Sequence, residues 1–257
     1  MSAAGRLRRV LLPLAVVAAA IGAWQLAAEW KLLADALSIE PFLIPAPSDI
    51  ASALWNDRDL LVEDGWVTLR EVVLGFALSL VAGLSFAAVL HLSETMRRAF
   101  YPLLVASQTV PIIVVAPILV VWFGFGITPK LLIIALICFF PITVNALDGL
   151  RAVDPDLIKL MRTLDASRLR IFLGAEAPSA LPYAFSGAKI AVAVAVIGAV
   201  FGEWAGSEAG LGHLMLQASA QLETARLFAA VVVLSVFAVS LFALLSLVER
   251  RVAWWGR

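Results

Sequence analysis

Apolar residues in this chain come in long uninterrupted runs separated by short charged stretches. Neither the two-residue alternation of a half-buried strand nor the narrow stripe of a soluble helix dominates. A helix that crosses a bilayer core needs about 20 apolar residues, because lipid offers no partner to backbone N–H and C=O groups. Four runs free of Asp, Glu, Lys and Arg approach that length: Val10–Ala28 (19 residues), Val72–Leu90 (19), Leu131–Leu147 (17) and Leu227–Val248 (22). Another, Ala99–Pro129, has 31 residues, too long for one helix and too short for two. It carries Pro111 and Pro117, which remove backbone donors and are expected to bend or break it. The last, Pro178–Gly202, has 25 residues and is interrupted only by Lys189, which must be buried in protein, reach the interface or face a wet cavity. The pattern predicts an all-α polytopic membrane helix bundle with six transmembrane helices. Ala18–Ala20 offers the small residues of a signal-peptide cleavage site, but signal h-regions run to only about 15 residues, so the first run is expected to be an uncleaved anchor.

The segments between runs carry their own signals. In the loop over about residues 29–68, Pro45-Ala46-Pro47 stops regular structure, and Ser48 or Asp49 can cap a short helix with Ile50, Ala53 and Leu54 on one face. That helix is expected to lie on the membrane surface. Asp154-Pro155-Asp156 is a helix start: a carboxylate N-cap, a proline at the first position and an acid favoured by the helix dipole. Leu157, Leu160, Met161 and Leu164 then recur at helical spacing, with Lys159 and Arg162 on other faces. Asp165 follows the last turn, where a left-handed residue often ends a helix. Ser167 can cap a second short helix through Phe172, and Pro178 precedes the next span. Such a pair can lie on headgroups or on its own bundle, or it can be the docking surface for a cytoplasmic partner. Gly187, Ala191, Ala195 and Ala199 recur every four residues, and Gly198 with Gly202 makes a G-x-x-x-G. Small residues at this spacing let helices approach closely, either within the subunit or across a dimer. Trp24, Trp30, Trp66, Trp204, Trp254 and Trp255 fall near span ends and read as an aromatic belt.

Composition agrees with the runs. Of 257 residues, 62% are hydrophobic and 15% charged, against roughly 45–50% and 25% in soluble domains. The 19 basic and 19 acidic residues cancel, which removes a basic nucleic-acid binder as a global reading. Their distribution does not cancel. With the N-terminus in the cytoplasm, 13 of the 19 Lys and Arg fall on inside segments together with seven acids, an excess of +6 that is mirrored by −6 elsewhere. The positive-inside rule therefore predicts cytoplasmic N- and C-termini. The single Cys138 excludes an intramolecular disulfide, and with only His91 and His213 beside it a metal cluster is not expected. His213 itself, after Gly210-Leu211-Gly212, reads as a surface residue.

Catalytic signatures are missing. There is no G-x-x-x-x-G-K-[ST] phosphate loop, no H-E-x-x-H and no G-x-S-x-G. Ser186 and Lys189 match S-x-x-K but lack the accompanying S-D-N and K-T-G, so a membrane-embedded hydrolase is a distant reading. A secondary carrier or channel is nearer, although no internal repeat is evident.

The ordered motifs narrow the choice. Pro45-Ala46-Pro47-Ser48-Asp49-Ile50, Thr68-Leu69-Arg70 leading to Gly75-Phe76, and Tyr101-Pro102-Leu103-Leu104 come first. Gln108, Pro111, Ala116-Pro117, Trp122 through Gly126 with Lys130, and Phe140-Pro141-Ile142 through Asn145 to Gly149 follow. Gly202-Glu203, Gly210-Leu211-Gly212 and Glu249-Arg250-Arg251 complete the set. Together this series resembles ABC-importer permeases of the nitrate, sulfonate and taurine group. The loop over residues 150–178 is similar to their coupling loop, E-A-A-x3-G-x9-I-x-L-P: aligned on Pro178, E-A-A falls on Lys159-Leu160-Met161 and the glycine on Asp165. Only the proline of the motif is kept, while the amphipathic shape is retained.

The resemblance implies a type I ABC-importer permease fold, no enzymatic activity and no cofactor in this chain. ATP and Mg would sit on a cytoplasmic ABC ATPase, an extracytoplasmic solute-binding protein would deliver the solute, and a permease homodimer would line the pathway in the inner membrane. It implies three segments: 1–61, 62–250 as the permease core, and a basic tail over 251–257. Asp154, Leu157, Lys159, Leu160, Met161, Leu164, Asp165 and Pro178 would contact the ATPase; Lys189 and Glu203 are pathway or gate candidates. Gly202-Glu203-Trp204 with Gly210-Leu211-Gly212 looks closest to members that carry thiamine-precursor pyrimidines, then riboflavin, with sulfonate or nitrate behind.

Overall fold

The structure is a computed structural model that describes residues 3–31, 38 and 40–253. Trp254, Trp255 and Arg257, expected in the aromatic belt and the basic tail, lie outside the described residues. Among the described residues every regular element is helical: α1 (Ala3–Glu29), a 3-10 turn (Pro41–Leu43), α2 (Pro47–Asn56), α3 (Arg58–Leu92), α4 (Glu94–Ser107), α5 (Ile112–Phe123), α6 (Ile127–Arg151), α7 (Pro155–Thr163), α8 (Arg168–Ile171), a π-turn (Phe172–Glu176), α9 (Ala177–Gly206), α10 (Leu211–Ala220) and α11 (Thr224–Val252).

Among the described residues, four stretches are long and apolar enough to cross a membrane: α3, α6, the 39 residues Arg168–Gly206, and α11. The α4–α5 pair makes a fifth, bent by 101°. α1 covers the first expected run over 27 residues, with Ala15–Glu29 as its described apolar part. The break in the long run falls at Pro111, the N-cap of α5, whereas Pro117 sits inside α5 without ending it. α3 begins far ahead of its apolar run at Val72, because Asp64, Thr68 and Glu71 on its first turns are buried and find polar partners instead of water.

The chain divides into two compact units. The first comprises Met1–Glu63 and Leu214–Val233. Within it Gln25 of α1 holds Ser48 of α2, accepting from its N–H at 3.0 Å and donating to its hydroxyl at 2.9 Å. α2 starts one residue before the expected cap. Pro47 is its first residue, and Asp49 reaches back to accept the Ala46 N–H at 3.0 Å, while Ile50 and Ala53 are buried as the pattern predicts. Arg226 joins Asp57 at 2.8 Å and also pairs with Glu223.

The second unit comprises Asp64–His213 and Leu234–Arg257. Its axis is α9 laid along α6. The whole small-residue stripe, Gly187, Ala191, Ala195, Gly198, Ala199 and Gly202, is buried, and it faces α6 of the same chain. A Cβ on Gly187 would come within 2.6 Å of the Pro141 carbonyl oxygen, and one on Gly202 within 3.3 Å of Lys130. The Cys138 thiol donates to the Ala191 carbonyl at 3.2 Å across this seam. Of the two packings left open by the sequence, the stripe uses the one within the subunit. At one end of the seam Ala87, Leu90, Ala146, Leu147, Leu150 and Ala180 form a core cluster; at the other, Ala116, Leu119 and Ile133 form a second.

Candidate functional site

The loop after α6 is built as its residues dictate. The Asp154 carboxylate accepts the Asp156 N–H at 2.8 Å, Pro155 opens α7, and Lys159 pairs with Asp156 at 2.8 Å. At the far end Asp165 takes φ +56°, and the N–H groups of Asp165 and Ala166 bond the carbonyls of Arg162 and Met161, both at 3.0 Å. This is a left-handed helix stop of the Schellman type, a backbone state that glycine adopts most cheaply. Asp165 stands where the resemblance puts the family's glycine. No residue of α7 is buried, and Leu157, Leu160 and Leu164 are 44%, 56% and 71% exposed, with Met161 half-buried beside them. Ser167 caps α8 by accepting the Arg170 N–H at 3.3 Å, and Pro178 begins α9 within its first turn.

Behind α8 lies a clasp that sequence reasoning missed. Glu176, 5% exposed, ends the π-turn. Both of its oxygens lie 2.6 Å from Nη1 of Arg168. Its Oε2 also lies 2.9 Å from Nε2 of His91 at the end of α3, a close polar contact that is not a hydrogen bond. The clasp ties the α7–α8 segment to α3 and α9 together. The available signal was an acid set between alanines, Ala175-Glu176-Ala177, in an otherwise apolar stretch.

A second buried polar cluster occupies the other end of α9. Glu203, 1% exposed, accepts from the Thr68 hydroxyl at 2.6 Å and from the N–H groups of Gly212 and, at 3.2 Å, His213. Asp64 accepts the Gly210 N–H at 2.8 Å, and Trp204 donates its indole N–H to the Gly212 carbonyl at 2.9 Å. Gly210 has φ +112°, and a Cβ there would collide with the Glu203 carboxylate. Beside this knot Lys130 bonds Glu71 at 2.6 Å and Ser207 at 2.7 Å, all three on different spans or turns. The sequence motifs Thr68, Lys130, Gly202-Glu203-Trp204 and Gly210-Leu211-Gly212 thus converge on one polar knot. His213 is half-buried in it rather than on the surface.

Between these two polar ends, α6, α9 and the α4–α5 bend enclose an apolar cleft of about 780 Å³. Gln108, Asn145, Phe140, Phe201, Ile190 and Val194 are among its walls, and none of its lining residues is charged. Lys189 and Glu203 do not line it. Lys189 bonds Glu249 of α11 at 2.7 Å and stands 6.0 Å above the Phe242 ring. Ser186 donates to the Pro182 carbonyl at 3.0 Å, so the S-x-x-K pair turns to separate partners.

Comparison with known proteins agrees with this layout. Residues 79–254 match the family described as binding-protein-dependent transport system inner membrane component. The chain is 37% identical to a probable ABC transporter permease protein of Haemophilus influenzae, over 96% of this chain and 98% of that one. It is 37% identical to the formylaminopyrimidine transport permease protein ThiX of Halalkalibacterium halodurans, over 89% and 91%. Among solved structures, the MetNI methionine ABC transporter in an inward-facing conformation superposes with a TM-score of 0.64 at 20% identity, covering 79% of this chain and 98% of that one.

Proposed function

Since this chain belongs to the family of binding-protein-dependent transport system inner membrane components, we propose that it carries a small, uncharged nitrogen heterocycle of the pyrimidine type into the cytoplasm. It is the permease component of an ABC importer, a transport subunit rather than an enzyme. Its energy comes from a separate ATPase on which Asp154–Phe172 docks, and its solute from an external binding protein.

One observation carries the coupling role. α7 is capped at both ends and presents Leu157 and Leu160, with Leu164 at its C-cap, to solvent, and none of the residues of the helix is buried. Three leucines in a row on a rigid helix are a docking ridge for an apolar cleft. The Glu176 clasp would then pass a displacement of α7 to α3 and α9 as rigid-body motion. The distribution of basic residues supports cytoplasmic termini, which puts this ridge on the side where ATP is found.

The solute class rests on two supports. The relative ThiX is named for formylaminopyrimidine transport. The cleft offers Phe140 and Phe201 for stacking and the amides of Gln108 and Asn145 for hydrogen bonds, without charge to hold an anion. Riboflavin, sulfonate and nitrate rank behind it. A second copy of the chain, facing this cleft, would complete the pathway as a homodimer.

Uptake of radiolabelled formylaminopyrimidine into proteoliposomes holding permease, ATPase and binding protein tests the reading. Accumulation should require ATP and be outcompeted by unlabelled pyrimidine. Preference for taurine or nitrate would overturn the solute class, and uptake by the permease alone along a proton gradient would overturn the ATP-driven reading.

A further inference from the structure

A pocket of about 420 Å³ lies where α4 begins and α6 ends, lined by Arg97, Arg98, Tyr101, Pro102 and Arg151. Three of its five walls are guanidinium side chains, and no acid lines it. Glu94 pairs with Arg97 and, at 2.8 Å, with Arg98, so one carboxylate is shared by two of the three guanidinium groups. Arg151 has no ion pair among the described residues. Tyr101 packs against the core cluster of Leu90 and Leu147, so one wall is fixed.

We infer that this pocket binds the phosphate of an anionic phospholipid headgroup. Guanidinium groups suit phosphate because their planar N–H pairs match its oxygens. The surroundings favour a lipid over a free anion. Met96, Phe100 and Leu103 follow at helical spacing along α4, 38%, 41% and 63% exposed, forming an apolar track beside the arginines on which acyl chains can lie. Basic pockets at the ends of membrane spans are suited to acidic headgroups for the same reason. The pocket sits on the first turns of α4 and on the end of α6, and both helices run on to walls of the cleft. A bound headgroup would therefore brace the frame of the cleft. This assignment needs only that the chain spans a membrane, and it is independent of the solute proposed above.

The test uses the full-length permease with Arg97→Gln and Arg151→Gln, singly and together, beside the charge-keeping Arg151→Lys. Native mass spectrometry after mild detergent extraction should find phosphatidylglycerol or cardiolipin on the wild type, falling by about fivefold for each arginine lost, with Arg151→Lys close to wild type. In nanodiscs the wild type should melt higher with phosphatidylglycerol than with phosphatidylcholine, and the double variant should lose that difference. If the double variant does not fold, the single Arg151→Gln carries the comparison, since that residue is exposed and unpaired. Equal lipid retention by wild type and variants overturns the assignment. So does inorganic phosphate alone reproducing the shift in melting, which makes the pocket a site for a soluble anion. Loss of ATPase association with lipid retention intact would equally overturn it, in favour of a protein contact.

Discussion

Glu203 and Thr68 stand 135 positions apart in the chain and meet at 2.6 Å, the carboxylate 1% exposed and the threonine fully buried. The same carboxylate holds the backbone of the Gly210-Leu211-Gly212 turn, so one side chain joins α3, α9 and the start of α10. Replacing Glu203 by Gln turns one of its two acceptor oxygens into a donor and leaves a buried partner poorly matched, so a loss of about 1–3 kcal/mol is expected. Thr68→Val removes one buried partner and should cost about 1–3 kcal/mol. Thermal melting in detergent checks both, and a Glu203→Gln protein that melts like wild type contradicts the assignment of this knot.

Gly210→Ala should destabilise through two causes at once. Its φ of +112° disfavours any side chain, and the new methyl would displace the Glu203 carboxylate. A loss above about 2 kcal/mol is expected, larger than the 1–2 kcal/mol of left-handed strain alone. The double variant Gly210→Ala with Glu203→Ala should lose less than the sum of the two singles, read by the same melting curves.

Asp165→Gly tests the helix stop of α7. Asp165 holds a left-handed conformation at φ +56°, and glycine relieves that strain. Slower amide hydrogen exchange at Ala166, whose N–H closes the motif, is the expected sign, worth up to about 1 kcal/mol. Asp165→Val, β-branched in the same conformation, should speed that exchange.

The Lys189–Glu249 contact joins α9 to α11 at 2.7 Å, with both side chains mostly covered. Lys189→Glu and Glu249→Lys each create a like-charge pair and should destabilise. The charge-swapped double variant should regain about 1–3 kcal/mol as a coupling energy in a double-mutant cycle. No recovery would mean that Lys189 serves another partner.

Much of the fold is legible in the sequence because lipid imposes length on apolar runs. α1, α3, α6, α9 and α11 each contain one of the expected runs, and the kink at Pro111 follows from a missing donor. The short helices α7 and α8 are legible down to their caps, since Asp154, Asp165 and Ser167 all act within a few residues of themselves. The polar knots are not legible, because their meaning depends on partners brought together by the tertiary fold. Lys130 reads as a charge at a span end until Glu71, 59 positions away, is seen to neutralise it. Glu203 and Gly210-Leu211-Gly212 read as separate family marks, although the second exists to leave room for the first. The partner of Lys189 is likewise not legible, because nothing local shows Glu249 on another helix.

The most direct test of the central claim is ATP-dependent uptake by Leu157→Glu/Leu160→Glu permease, reconstituted with its ATPase and binding protein. Both leucines are exposed, so the variant should melt within about 0.5 kcal/mol of wild type. It should lose ATPase co-purification by at least about tenfold, a change of about 1.4 kcal/mol, and uptake should fall with it. Wild-type uptake and ATPase binding in this folded double variant would contradict the account.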